Sequence, residues 1–135
     1  MRKISKSIAN AFKNGERRSI SNTVTDNDEV LLHGNRIMWK NGGGDICLSM
    51  CGWATRTTRE RLNALLEVLG SRYRIVQRNG EQWAMTESRR DVEKEKKNWD
   101  YAIHRKIDPN EVYRMARLGT STEVWREVYR NSLPS

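Results

Sequence analysis

Long apolar runs are missing from this chain, and so is anything that would pass for a secretory leader. No stretch approaches the roughly 18 consecutive apolar residues of a membrane helix. The N-terminus, MRKISKSIANAFKNGERR, starts basic but has no continuous apolar segment behind it. Cysteine is scarce: Cys47 and Cys51 are too few for a disulfide scaffold, so a cytosolic setting is the expectation. Glycine and proline number 9 and 2, as in a soluble globular composition. Only two histidines occur, His33 and His104, and neither adjoins a serine or cysteine in a nucleophile motif. The glycines at 42–44 lack the Lys-Ser/Thr and helix that a phosphate-cradling loop requires. Asp26, Asp28 and Glu29 stand together, but turn and solvation roles suffice for them in a loop. Cys47 and Cys51, four apart on an expected strand, point the same way, yet zinc needs about four ligands and no second pair has suitable spacing. These absences lead us to expect no enzyme activity, no metal and no cofactor.

What is present is a composition for one soluble core. The 135 residues are 36% hydrophobic, and five tryptophans with four tyrosines supply large units for burial. The formal charge is +8 and comes in blocks. Residues 1–18 carry six Lys/Arg against Glu16 alone, a net of +5; residues 52–80 carry six Arg against Glu60 and Glu67, a net of +4. Two such blocks fit either a basic face for an anionic partner or ordinary solubilising charge.

The periodicity divides the chain in two. Ile4, Ile8, Ala11 and Phe12 form one stripe of an N-terminal helix that Gly15 stops. From residue 19 to 51 the period is two. EVLLH and RIMWK flank Gly34-Asn35, a dipeptide suited to a two-residue hairpin that would set Leu32 opposite Ile37 and Val30 opposite Trp39. DICLSMC continues the meander, and a preceding strand near residues 20–25 is possible. Thr57 with Glu60 reads as a capping box, followed by a helix carrying Leu62, Leu65, Leu66 and Leu69 up to Gly70. YRIVQ and QWAM form a hairpin across Asn79-Gly80, pairing Val76 with Trp83 and Arg78 with Glu81.

Beyond residue 86 the patterns read as helical: a charged helix from Ser88, a second capped by Asp108-Pro109 with Glu111, and a third started by Thr120 and Glu123. The expectation is an α+β fold. An antiparallel meander plus hairpin would pack on a central helix in residues 1–86, with a docked helical extension over residues 87–135.

The densest stretch is GWATRTTRERLNALLEVLG, residues 52–70. Arg56, Arg59 and Arg61 occupy the first turns of a helix, where the macrodipole disfavours cations. Trp53 beside them is free either to stack on a base or to fill a partner's pocket, unless it belongs to the core. These four residues, with Arg72, Arg74, Arg17 and Arg18, are the candidate contact surface for a protein or nucleic acid. Arg56, Arg59 and Arg61 have the alternative of reaching Glu60, Glu67 or other carboxylates of the chain.

NGERRSISNT, LLHGNRIMW, GWATRTTRERLNALL and YRIVQRNGEQW together resemble a family of small bacteriophage accessory proteins, over residues 5–85. The shared pattern covers His33, Gly34, Asn35 and Ile37, then Trp53, Thr55, Thr57, Thr58, Arg59, Arg61, Leu62 and Asn63. The resemblance implies a phage origin and action in the cytoplasm of an infected bacterial host, and it assigns no reaction or site. On that footing the expected role is stoichiometric binding to a host protein or nucleoprotein complex that handles nucleic acid or mounts defence. The alternative is direct, weakly sequence-specific binding of DNA or RNA. No membrane partner is expected, and a homodimer or other self-assembly remains open.

Overall fold

The computed structural model describes residues 3–26, 28–86, 103–120 and 123–128. Two helices, α1 (Lys3–Lys13) and α2 (Arg56–Val68), accompany ten strands: β1 (Arg18–Ile20), β2 (Thr23–Asp26), β3 (Glu29–Leu32), β4 (Asn35–Lys40), β5 (Ile46–Ser49), β6 (Tyr73–Arg78), β7 (Glu81–Thr86), β8 (Ile103–Ile107), β9 (Val112–Ala116) and β10 (Val124–Val128). Seven strands form one sheet in the order β1-β2-β3-β4-β5-β9-β10, and β6-β7-β8 form a second. Every pairing is antiparallel. The α+β class, the N-terminal helix and the Asn79-Gly80 hairpin are therefore as the sequence indicates. No described helix is long and apolar enough to cross a membrane.

The helices form where the apolar stripe has something to cover. On α1, Ile8, Ala11 and Phe12 are buried, and Ala9 and Ser5 widen that face. On α2, Leu62, Leu65 and Leu66 are buried and Leu69 is half-buried. The two helices pack on each other, and α2 also lies against β6 and β4. One continuous core joins them to Val30, Leu32, Ile37, Leu48 and Met50 of the meander, to Ile75 and Ala84 of the hairpin, and to Tyr113, Met115 and Trp125. The Trp125 ring sits 5.2 Å from Tyr73 and 5.4 Å from Tyr113, within the range of favourable aromatic pairs. A smaller cluster of Trp39, Cys47 and Val112 stands apart from this core, with the Arg36 guanidinium 4.1 Å over the Trp39 ring.

Several expectations need correction. Residues 103–107, 112–116 and 124–128 are strands, not the helices of an extension; the charged stretch 87–102 lies outside the described residues. The apparent caps serve turns instead. Asp108 Oδ1 accepts from the Asn110 amide at 2.9 Å, and Asp108 O accepts from the Glu111 amide at 3.1 Å, the behaviour of an Asx turn between two strands. Glu123 holds Ser71 Oγ and the Arg72 amide rather than a helix start. Val112 to Ala116 is short enough to suit either period. Pairing with β5 decides it, by burying Tyr113 and Met115 in the main core.

The first hairpin is also displaced by one residue. Its turn is His33-Gly34, with φ of +52° and +80°, the left-handed pair that a type I′ turn demands. Asn35 pairs with Leu32. A bulge then leaves Ile37 unmatched, so that Met38, not Trp39, faces Val30. The extra residue sends Ile37 and Met38 to the main core and Trp39 to the smaller cluster. Cys47 and Cys51 do not share a direction either. Cys47 belongs to that cluster, while Cys51 has left the strand, with φ of +53°. By contrast, the register of β6 with β7 is the one expected, Val76 facing Trp83 and Arg78 facing Glu81.

Candidate functional site

The TTRE stretch starts the helix two residues earlier than a Thr57 cap would place it. Thr55, extended at φ −97° and ψ 161°, is the N-cap, and its hydroxyl accepts from the Thr58 amide at 3.2 Å. The Thr58 hydroxyl lies 3.0 Å from that of Thr55. The helix therefore opens with Arg56, and its first turn holds no acidic residue.

The arginines that follow part company. Arg61 is only 3% exposed; its Nε donates to Thr23 Oγ1 at 3.0 Å and its Nη1 to Ser5 Oγ. It therefore ties α2 to β2 and α1 from the inside and is absent from the surface. Arg59 is half-buried. Its Nη1 reaches Ala54 O at 3.2 Å and the side-chain oxygens of Gln77 and Gln82, each at 3.0 Å. All three acceptors are neutral, and no carboxylate of the described residues pairs with this guanidinium. Arg56 is exposed and has no partner among the described residues. Asn63, the last polar residue of the motif, spans to β6: its Nδ2 donates to Ile75 O at 2.8 Å, and its Oδ1 accepts from the Ile75 amide at 2.6 Å.

The other candidates lie elsewhere. Arg17 forms an exposed ion pair with Asp26 at 3.7 Å, and Arg18 donates to Ser7 Oγ at 2.7 Å. Arg74 is turned back on the carbonyls of Ser71 and Tyr73, at 2.8 and 2.6 Å. Arg72 is exposed beside it, with its amide on Glu123. The eight candidates do not form one patch around the start of α2. Trp53, Arg56 and Arg59 are the ones gathered there.

Trp53 is the exposed large hydrophobic side chain of the described residues, at 60%. With Leu32, Ile37 and Met50, with His33, Asn35 and Cys51, and with Thr55, Thr57 and Thr58, it lines a cavity of about 480 Å³. Leu32, Ile37 and Met50 are at most 5% exposed, so the floor is apolar. The Cys51 thiol donates to Arg36 O at 3.0 Å, and the ring of His33 lies 3.3 Å from the side-chain nitrogen of Asn22. No carboxylate lines the cavity, and no group of three His, Cys, Asp or Glu suited to a metal ion forms among the described residues. The polar groups of its lining are the Cys51 thiol, the His33 ring, the Asn35 amide and the hydroxyls of Thr55, Thr57 and Thr58.

His33, Asn35, Ile37, Cys51 and Thr55 were not among the expected contact residues. The signal was present in part, since the LLHGNRIMW and GWATRTTRERLNALL stretches singled out in the sequence supply most of the lining. What sequence spacing withholds is that the β3-β4 turn and the start of α2 line one cavity. Away from this site, burial raises the pKa of the Cys47 thiol, opposed by the Arg114 charge, and burial likewise raises that of Tyr73.

Neither a curated protein nor a solved structure matches the chain. The family model described as Kyanoviridae Gp96 protein matches residues 1–106, well over half of the 135, and the chain therefore belongs to this bacteriophage protein family.

Proposed function

We propose that this phage protein works without chemistry of its own, by stoichiometric binding to a host nucleic-acid-handling or defence complex in the infected cell, in the manner of an inhibitor. The observation that carries the reading is the 60% exposure of Trp53 at the mouth of a 480 Å³ cavity. An indole left in water beside an apolar recess is the kind of anchor on which interfaces concentrate their binding energy. Arg56 adds a cation with no partner among the described residues. The test is affinity capture from infected host lysate, with and without nuclease, comparing the native chain with Trp53→Ala and Arg56→Glu. Both side chains are exposed, so both variants keep the fold. Proteins retained by the native chain and lost by both variants, regardless of nuclease, support the reading. Equal retention by all three chains removes this surface from consideration.

A second reading, direct DNA or RNA binding, draws on the net charge of +8. A complex dominated by phosphate contacts weakens steeply with salt, and Trp53 would stack on a base. An absence of any gel retardation at low ionic strength would eliminate it.

A further inference from the structure

We infer that the cavity receives a bulky apolar side chain from a protein partner, and that a carboxylate flanking this anchor sits over Arg56. This rests on the protein-binding reading above and names the chemistry of the ligand. The floor of Leu32, Ile37 and Met50 offers an apolar anchor a dry contact, and a recess of about 480 Å³ falls within the range of small-ligand pockets. Thr55, Thr57 and Asn35 also line the cavity and offer hydrogen-bonding groups to the main chain of a docked segment, whereas Thr58 is buried with its hydroxyl on that of Thr55.

Two guanidinium groups stand on the first turn of α2, which also carries the cavity-lining Thr57 and Thr58, and Glu60 follows them at the start of the next turn. Arg59 is fixed against Ala54 O, Gln77 and Gln82, all neutral acceptors, so its positive charge persists at the start of α2. Arg56 projects from the same turn with no acidic residue beside it in that turn. An acid on the partner meets both. A nucleic acid strand fits less well, because tracking a phosphate backbone takes a row of available cations. Arg61 is inside the protein, Arg17 is paired with Asp26, and Arg18 is held on Ser7.

The experiment is a titration of the isotope-labelled full chain, followed by amide and indole resonances, with N-acetylphenylalanine and separately with its carboxamide at low salt. The expected result is that both compounds move the Trp53 indole and the amides of Asn35, Thr55, Thr57 and Thr58. The acid should bind about two- to five-fold more tightly, the range of an exposed ion pair. Arg56→Gln should erase that difference while leaving the carboxamide unchanged. The inference is overturned if neither compound moves these resonances, if the carboxamide binds as well as the acid, or if oligothymidylate moves them while both phenylalanine compounds fail. The two levels of the argument separate cleanly. If Trp53→Ala loses its captured partner but the titration is silent, the surface stands and the anchor chemistry falls. If the titration behaves as expected but capture is unaffected by Trp53→Ala, the pocket chemistry stands and its role in capture falls.

Discussion

Asn63→Ala should cost this protein about 2–4 kcal/mol, through two backbone groups it leaves stranded. β6 is an edge strand of the three-stranded sheet, so alternate residues turn their N–H and C=O away from β7. At Ile75 both groups meet the Asn63 side chain, at 2.6 and 2.8 Å. The amide of a helix residue thus stands in for a missing neighbouring strand. Ile75 is 1% exposed, so water has poor access to replace the lost partner, and each abandoned buried group costs about 1–3 kcal/mol. Against a total stability of about 5–15 kcal/mol the variant still folds. Urea unfolding is the assay: with a slope of about 1–3 kcal/mol/M, the midpoint should fall by about 1–2 M at unchanged slope. Hydrogen exchange at the Ile75 amide should accelerate by a similar free energy. Asn63→Asp separates the two bonds, keeping the acceptor for the Ile75 amide while setting a carboxylate against its carbonyl. A loss below about 0.5 kcal/mol for Asn63→Ala, the level of an ordinary surface change, would refute the bridge between α2 and β6.

Arg61→Lys should destabilise by about 1–3 kcal/mol in thermal or urea unfolding, because a single ammonium cannot reproduce the fork that meets Ser5 and Thr23 together; a neutral outcome would mean those contacts do not hold α1 in place. Gly52→Ala should cost about 1–3 kcal/mol in the same assay, since φ is +80° and an added Cβ would lie 2.9 Å from Asn110 Oδ1. The Cys47 thiol, its pKa raised by burial, keeps its proton in the folded chain at pH values where the unfolded chain has released it. Above the ordinary thiol range of about 8.5 the folded state therefore binds more protons, and stability should decline as pH rises through that window. Cys47→Ser should flatten this slope, and a slope unchanged by the substitution would discount the thiol. In the folded chain an exposed-thiol reagent should modify Cys51, which is half-buried at the cavity, faster than the buried Cys47.

Much of the first 86 residues was legible because each signal was local. The α1 stripe, the four leucines of α2 ending at Gly70, and the Asn79-Gly80 hairpin with its register depend on residues a few positions apart. Errors began where a distant partner arbitrated. Val112 to Ala116 carries a pattern that a helix tolerates, but β5 presented an open edge and took it as a strand. A bulge at Ile37 reversed the faces of Met38 and Trp39, and nothing within RIMWK announces it.

The candidate site shows the same division. That Trp53 and the arginines after it exceed what a helix start requires was readable from residue types alone. Which of them face solvent was not: Arg61 and Arg56 are five residues apart on one helix, yet one is buried on two hydroxyls and the other is free of partners among the described residues. Composition and short-range periodicity determined the charge and most of the helix and strand content of the first 86 residues. Tertiary structure alone decided the strands after residue 102 and the fate of each guanidinium, and it brought His33 and Asn35 into one cavity with Thr55. Hydrogen-bond pairing and burial are properties of surfaces that meet, and sequence separation does not encode which surfaces those are.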